Sequence, residues 1–289
     1  RLGELAFKRG DVRGASEAIE RGLQLLGRMV PRRFAAFVAL TLWEVLVQTL
    51  HSLLPRVFLS RLQLDRAETE MLTIRLYSRL SYAYFFYRGS IPVLWSHLRE
   101  MNLAERYPST EELAQAYSEH SVLVNYFPSC SRRAVTYAEK GLAIRLAHGN
   151  VWGQGQSLHF YGVVLYTRGR FAEAVEKLRE AIRLLERTGD RWEMNIARYH
   201  IACCLYRIGD LREAIKTAQQ LYRVGLEIGD AHASGISLEP WAKASGGRVP
   251  GEVIEAALQR SLEDPHSRVK LLQAKALFLL NQDRPGDAA

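Results

Sequence analysis

Residues 157–230 carry one helix–turn–helix pattern twice, at a fixed offset of 40 residues. Laid over each other, Ser157–Ala174 and Ala197–Ala214 match Leu165 to Leu205, Tyr166 to Tyr206, Gly169 to Gly209, Glu173 to Glu213 and Ala174 to Ala214. Each copy runs from a helix-period apolar stretch through a Gly-containing turn into a second amphipathic helix. Both end in Gly-Asp, at Gly189-Asp190 and Gly229-Asp230. One such helix pair cannot bury its apolar face alone, so a fixed period of this size predicts a solenoid in which each unit packs on its neighbours. The expected fold is therefore all-α, a solenoid of about seven helix pairs running through residues 1–289 as a single domain.

The same period places the turns and the helix starts. Turn positions Gly10, Gly89, Ser129, Gly169 and Gly209 are spaced 79, 40, 40 and 40 apart. The double gap implies a further unit between Gly10 and Gly89, centred on Ala35–Arg61. Beyond Gly209 the turn recurs near Gly247-Arg248 and Asp283-Arg284, so the period shortens. Thr110, Asn150, Asp190 and Asp230 recur every 40 residues and are residue types that cap helix N-termini. Ser109–Glu112 and Asp190–Glu193 have the spacing of a capping box, in which the fourth side chain returns to the cap's own N–H. The chain opens in mid-helix at Leu2 and closes on a helix start at Asp287-Ala288-Ala289, the pattern of a segment from a longer protein.

Composition narrows the function. Hydrophobic residues make up 48% and charged residues 24%, a folded rather than disordered balance. The net charge is +8, carried mostly by Arg, which permits a nucleic-acid or acidic partner. The basic residues nevertheless alternate with Glu and Asp, as in Glu176–Glu180, and their longest runs are pairs such as Arg32-Arg33. That pattern reads as a solvated mixed-charge face and weighs against nucleic acid. Cys130, Cys203 and Cys204 show no ligand spacing and read as small buried thiols in a reducing compartment, placing the chain in the cytoplasm. Ala35–Leu54 is the one stretch approaching a membrane span. It contains Glu44, Gln48 and His51, so it is expected as a solenoid helix buried on most of its surface, with no membrane partner.

No motif for chemistry appears. There is no phosphate-binding Gly-rich loop after a strand, no His-Glu-x-x-His, and no nucleophile–base spacing. The histidines are scattered, and each is expected as a packed or groove-facing residue rather than a metal ligand. The segment is expected to be no enzyme and to hold no cofactor and no metal.

The repeats resemble the tetratricopeptide repeat family in a 40-residue form, which implies a right-handed α–α superhelix. Its pattern falls on Tyr161, Gly162, Leu165, Gly169, Phe171, Ala174, Leu178 and Ala181, and again on Ile201, Ala202, Leu205, Gly209, Leu211, Ala214, Ala218 and Leu221. Gly3, Ala6, Gly10, Val12, Ala15 and Ile19 supply an earlier copy. Leu158 and Arg198 stand where the family usually has an aromatic. Segments 42–56, 102–108 and 152–157 are similar to the repeat region of large bacterial signalling proteins, which carry a Ser/Thr kinase and a P-loop ATPase before the repeats and an output module after them.

The resemblance implies a site. In such repeats the first helix of each pair lines a concave groove, and its inward aromatic position falls on Phe7, Phe86, Tyr126, Tyr166 and Tyr206. The last four are 40 apart. Tyr87, Phe127 and Arg207 lie beside them, and Arg79, Glu119, His159 and Tyr199 seven residues earlier on the same helices. These aromatic faces with interspersed Arg and His are expected to grip a protein or peptide, including flanking domains of the same chain. The alternatives are that the aromatics only pack between units, or that the solenoid closes around a small-molecule inducer. A regulatory interaction scaffold is the function expected.

Overall fold

A computed structural model describes Gly3, residues 11–65, 67–125, 131–260 and 264–284, and Gly286. Among these residues there are fourteen helices and no strand. In chain order they are α1 (Val12–Leu25), α2 (Phe34–Leu53), α3 (Pro55–Phe58), α4 (Glu68–Tyr87), α5 (Ser90–Ala104), α6 (Glu111–Asn125), α7 (Ser131–Ala147), α8 (Val151–Thr167), α9 (Phe171–Thr188), α10 (Arg191–Ile208), α11 (Leu211–Glu227), α12 (Ala231–Ser245), α13 (Gly251–Arg260) and α14 (Pro265–Asn281). The fold is the all-α solenoid that the period requires. The chain divides into two compact units, Arg1–Leu123 with Glu139–His148 and Val124–Ala138 with Gly149–Ala289.

The helix starts form where the period puts them. Thr110 Oγ1 accepts from Leu113 N at 3.0 Å, Asn150 Oδ1 from Gly153 N at 2.9 Å, Asp190 Oδ1 from Glu193 N at 3.2 Å, and Asp230 Oδ1 from Ala233 N at 2.9 Å. Each satisfies one of the N–H groups a helix start leaves open, a contribution of about 1 kcal/mol. Gly169 and Gly209 turn the chain between paired helices with φ of 73° and 86°, a left-handed conformation that costs a residue with a Cβ about 1–2 kcal/mol. The later turns fall at Gly247 and Asp283, both with positive φ, as the shortened period implies. The capping boxes do not close as expected. Thr110 rather than Ser109 caps α6, Glu112 pairs with Arg75 at 3.3 Å, and the Glu193 carboxylate turns away to His159.

In the second unit, small residues let paired helices approach and large ones fill the seam. A Cβ built on Gly162 would stand 2.5 Å from Leu178 Cγ. Leu165, Ala174, Leu178, Ala197, Ile201, Cys204, Leu205 and Ala214 form one buried cluster, so each fully buried leucine contributes about 1.5–3 kcal/mol. The residues that carry the family pattern are thus largely core residues. Cys203 and Cys204 are buried free thiols, as expected; Cys130 lies outside the described residues.

The first unit departs from the repeat. Helix α1 packs directly on α4, while α2 lies against α5, so the stretch centred on Ala35–Arg61 holds one long helix and the single turn α3 rather than a second regular unit. The chain after α3 runs back along the end of α5, with Ser60 N to Glu105 O and Leu62 N to Arg106 O each at 2.9 Å.

The expectation that α2 is buried on most of its surface is overturned. Only the stripe Phe37, Thr41, Glu44, Gln48 and His51 is buried, and it is largely polar because α5 presents polar partners. Glu44 accepts from Arg99 Nη1 at 2.9 Å and from Asn102 Nδ2 at 2.7 Å, and His51 Nδ1 lies 2.8 Å from Glu105 Oε2. The apolar side faces out, with Leu42 66%, Trp43 57% and Leu53 71% exposed. By length and composition Phe34–Leu53 is apolar enough to cross a membrane, with a mean hydropathy of 1.5.

Candidate functional site

In the second unit α10 packs on α8, and α12 on both α10 and α14, so residues 40 apart on these first helices fall into register. One column is His159, Tyr199 and Glu239, and all three are buried. Tyr199 OH donates to Glu239 Oε2 at 2.6 Å, Lys243 Nζ binds Glu239 Oε1, and Lys270 Nζ lies 3.0 Å from Glu239 Oε2. Burial acts to raise the Glu239 carboxyl, but the hydrogen bonds from Lys243 and Tyr199 and the charge of Lys270 outweigh it and hold the group below its usual range. Burial, with Cys203 and the Glu239 charge behind it, pushes the Tyr199 hydroxyl well above its usual range. One carboxylate thus meets two ammonium groups, leaving the cluster with a positive excess.

His159 is held by the neighbouring repeat. Its Nδ1 lies 3.0 Å from Glu193 Oε2, and the same carboxylate accepts from Gln156 Nε2 at 2.7 Å. On its other side His159 Nε2 stands 3.4 Å from His200 Nδ1, which also lies 2.9 Å from Ile196 O. Burial, and then the neighbouring His159, push the His200 imidazole down to about 3. Both histidines are thus locked by packing. His159 is buried and His200 half-buried.

The aromatic column lies seven residues, about two turns, further on. Tyr166 and Tyr206 are half-buried, each packed on the Leu165–Leu205 cluster. Tyr166 also meets Phe171 at 5.8 Å and His200 at 6.1 Å between ring centroids. Burial raises the Tyr166 hydroxyl, and the Arg207 guanidinium beside it opposes that rise. Arg207 itself is exposed. The structure therefore brings Tyr166, Tyr206 and Arg207 together as partly accessible groups, above the buried His159, Tyr199 and Glu239.

The remaining expected positions fall elsewhere. Phe86, Tyr87 and Arg79 belong to α4 of the first unit. Tyr87 bonds the Ser16 hydroxyl and lies under the Arg13 guanidinium at 5.8 Å, so it packs α4 against α1. Phe86 is half-buried and meets Phe85 edge-on at 5.5 Å. Arg79 is half-buried, close enough for its charge to act on Glu100 and Arg145. Glu119 is buried and accepts from Ser78 Oγ and Gln115 Nε2, each at 2.7 Å. Phe7, Tyr126 and Phe127 lie outside the described residues.

Some of these residues were reachable from sequence and others were not. Glu239 is the next member of the series Arg79, Glu119, His159, Tyr199, and extending the period by one step finds it. Lys270 sits where the period has shortened, and Glu193 is displaced from the column, so no spacing identifies either.

A tetratricopeptide repeat family matches residues 153–227, and these residues form a tetratricopeptide-like repeat region. No curated protein matches the sequence. Among solved structures, the chain is similar to that of aspartyl phosphate phosphatase F from Bacillus subtilis, with a TM-score of 0.57 and 14% identity over 99% of this chain and 79% of that one. A further likeness, with a TM-score of 0.36 and 16% identity, is to nearly identical TPR-like repeats of a putative kinesin light chain from Podosopora anserina, covering 83% of this chain and 98% of that one. At these identities the first likeness is one of fold.

Proposed function

We propose that this chain is a non-catalytic interaction scaffold of a cytoplasmic signalling protein, and that its second unit receives an extended peptide, or a partner domain presenting one, across the first helices of its repeats. The observation that carries this reading is the layering at Tyr166 and Tyr206. Their rings are anchored in the repeat core yet half-exposed, with Arg207 free to reach solvent beside them. Below them the buried column is internally paired, so it fixes the shape of the face instead of offering ligand groups. Preorganised aromatic faces give contact area at low entropic cost, and a nearby guanidinium adds direction.

Charge selects the occupant. The exposed Arg207 guanidinium beside the two tyrosines favours a peptide with acidic side chains. The thiols support the non-catalytic reading, since burial pushes both Cys203 and Cys204 up to about 12, far from the thiolate a nucleophile needs.

The test is an array of acidic, basic and neutral peptides matched in aromatic content, probed with the wild-type chain and with the Tyr166→Ala/Tyr206→Ala and Arg207→Glu variants. Acidic peptides should bind best, the double variant should lose them at unchanged helicity, and Arg207→Glu should weaken acidic peptides selectively. Equal binding by all three proteins would sink the reading.

A further inference from the structure

The first unit holds a cluster that the peptide-binding reading leaves unused. His97 and Glu100, three residues apart on α5, share one helix face, and Glu119 reaches the same point from α6. The three are 2%, 0% and 8% exposed, and one ligand atom from each lies within 4.8 Å of the others.

The distances within the cluster are unusual for a hydrogen-bonded set. His97 Nδ1 stands 3.6 Å from Glu100 Oε2 and 3.6 Å from Glu119 Oε2, too far for a hydrogen bond. Elsewhere in this protein a buried imidazole closes on its carboxylate, at 2.8 Å for His51 and Glu105 and 3.0 Å for His159 and Glu193. Ligand atoms around a shared cation stand further apart than that. With bonds of about 2.1 Å, neighbours in a tetrahedral site lie roughly 3.4 Å from each other.

The surrounding groups are arranged as they would be around a metal. Glu119 is oriented by the Ser78 hydroxyl and the Gln115 amide. His97 Nε2 lies 3.0 Å from His120 Nδ1, and the tautomer that donates there turns the lone pair of His97 Nδ1 toward the two carboxylates. Such outer contacts fix ligand orientation in metal sites. Both oxygens of Glu100 are buried without a hydrogen-bond donor. Its carboxyl faces that of Glu119, and Arg79 is the opposite charge acting on it. Two facing carboxyl groups in a dry site need either a proton or a cation between them.

We propose that the first unit binds a divalent transition-metal cation of the zinc class through His97 Nδ1 and one carboxylate oxygen each from Glu100 and Glu119. An imidazole with two carboxylates suits Zn²⁺, Mn²⁺, Fe²⁺ or Co²⁺ better than the all-oxygen preferences of Ca²⁺ and Mg²⁺. The ion joins α5 of one helix pair to α6 of the next, so its binding free energy adds to the stability of that junction.

The test uses the full chain, stripped with a chelator and titrated with Zn²⁺ by calorimetry and with Co²⁺ by visible absorption, beside Glu100→Gln and His97→Ala. One cation per chain should bind, the melting temperature should rise, and each variant should bind at least tenfold more weakly. No binding by the wild-type chain overturns the proposal whatever the variants do, because a shared proton then occupies the site. Binding that survives in both variants also overturns it, because the ion is then held elsewhere on the surface.

Discussion

Replacing Tyr199 by Phe tests whether the buried column is structural, because it deletes one hydroxyl and keeps the ring. The lost contact is the 2.6 Å bond to Glu239 Oε2. A hydrogen bond to a charged group contributes about 1.5–3 kcal/mol. Glu239 retains Lys243 and Lys270, which places the expected cost near the lower end, at about 1.5 kcal/mol. Glu239→Gln should cost more, about 3 kcal/mol, because it leaves two ammonium groups facing each other without their carboxylate. Urea unfolding followed by circular dichroism reads both, with the slope unchanged and the midpoint lowered. Combined in a double-mutant cycle, the two changes should be less than additive by about 1 kcal/mol, since the hydroxyl has no carboxylate to bond once Glu239 is gone. The sign with pH follows from the depressed Glu239 carboxyl: its contribution is present above the unfolded value near 4.5 and lost as pH falls through the lower folded value. The deficit of Glu239→Gln should therefore shrink in acid. A Tyr199→Phe chain as stable as the wild type, or a strictly additive cycle, would refute the view that this column is held by its internal pairing.

Two further measurements probe the packing and the last described helix. Gly22→Ala and Gly225→Ala are the same substitution in helix interiors, yet they should differ in sign. A Cβ at Gly22 meets Leu76 Cδ1 at 3.5 Å, an ordinary contact, so helix propensity should raise stability by up to about 1 kcal/mol; at Gly225 it meets backbone, Ser234 N at 2.7 Å, and should cost about 1–3 kcal/mol by thermal melting. Asp264 caps α14 by accepting from Ser267 N at 3.1 Å and also pairs with His232. Burial opposes ionisation there, but the His232 contacts outweigh it and hold the carboxyl below its usual 3.8, so its contribution is full above about pH 4 and lost as pH falls through the folded value. Asp264→Ala should cost about 1–2 kcal/mol at neutral pH and less in acid, and a deficit constant across that range would contradict the pairing.

The repeat architecture was legible because its signals are local. Thr110, Asn150, Asp190 and Asp230 each bond a backbone N–H three residues on, an interaction that depends on residue type and position and not on what packs nearby. Small residues such as Gly162, and the leucines they admit, mark the seams for the same reason. Helix α2 was misread because its hydrophobic pattern is inverted. Positions 37, 41, 44, 48 and 51 form a regular helical stripe, but the stripe is mostly polar, and hydropathy alone turns the opposite face inward. What decides the orientation is Arg99 and Asn102 on α5 and Glu105 just beyond its end, and no pattern within α2 contains them.

The site divides along the same line. The period found the columns and could not find their depth: His159 and Tyr199 fall in register 40 residues apart, but both are buried, and Glu193 and Glu239, supplied by the next repeat, close over them. His97, Glu100 and Glu119 make no short motif at all, since the third ligand arrives from another helix. These buried polar groups also bear on how a repetitive chain selects one pairing. Apolar seams of Leu and Ala are alike from unit to unit and would accept a neighbour shifted by one repeat. The polar contacts differ from one described junction to another: Glu44 with Arg99 and Asn102, His159 with Glu193, Tyr199 with Glu239. A buried ion pair adds little net stability over an apolar seam, yet leaving one member alone costs about 3–5 kcal/mol. Each misplaced junction strands such a group, so the pairs penalise wrong partners more than they reward the right one. The 40-residue repeat makes the helices interchangeable, and the residues that break it determine which helix lies beside which.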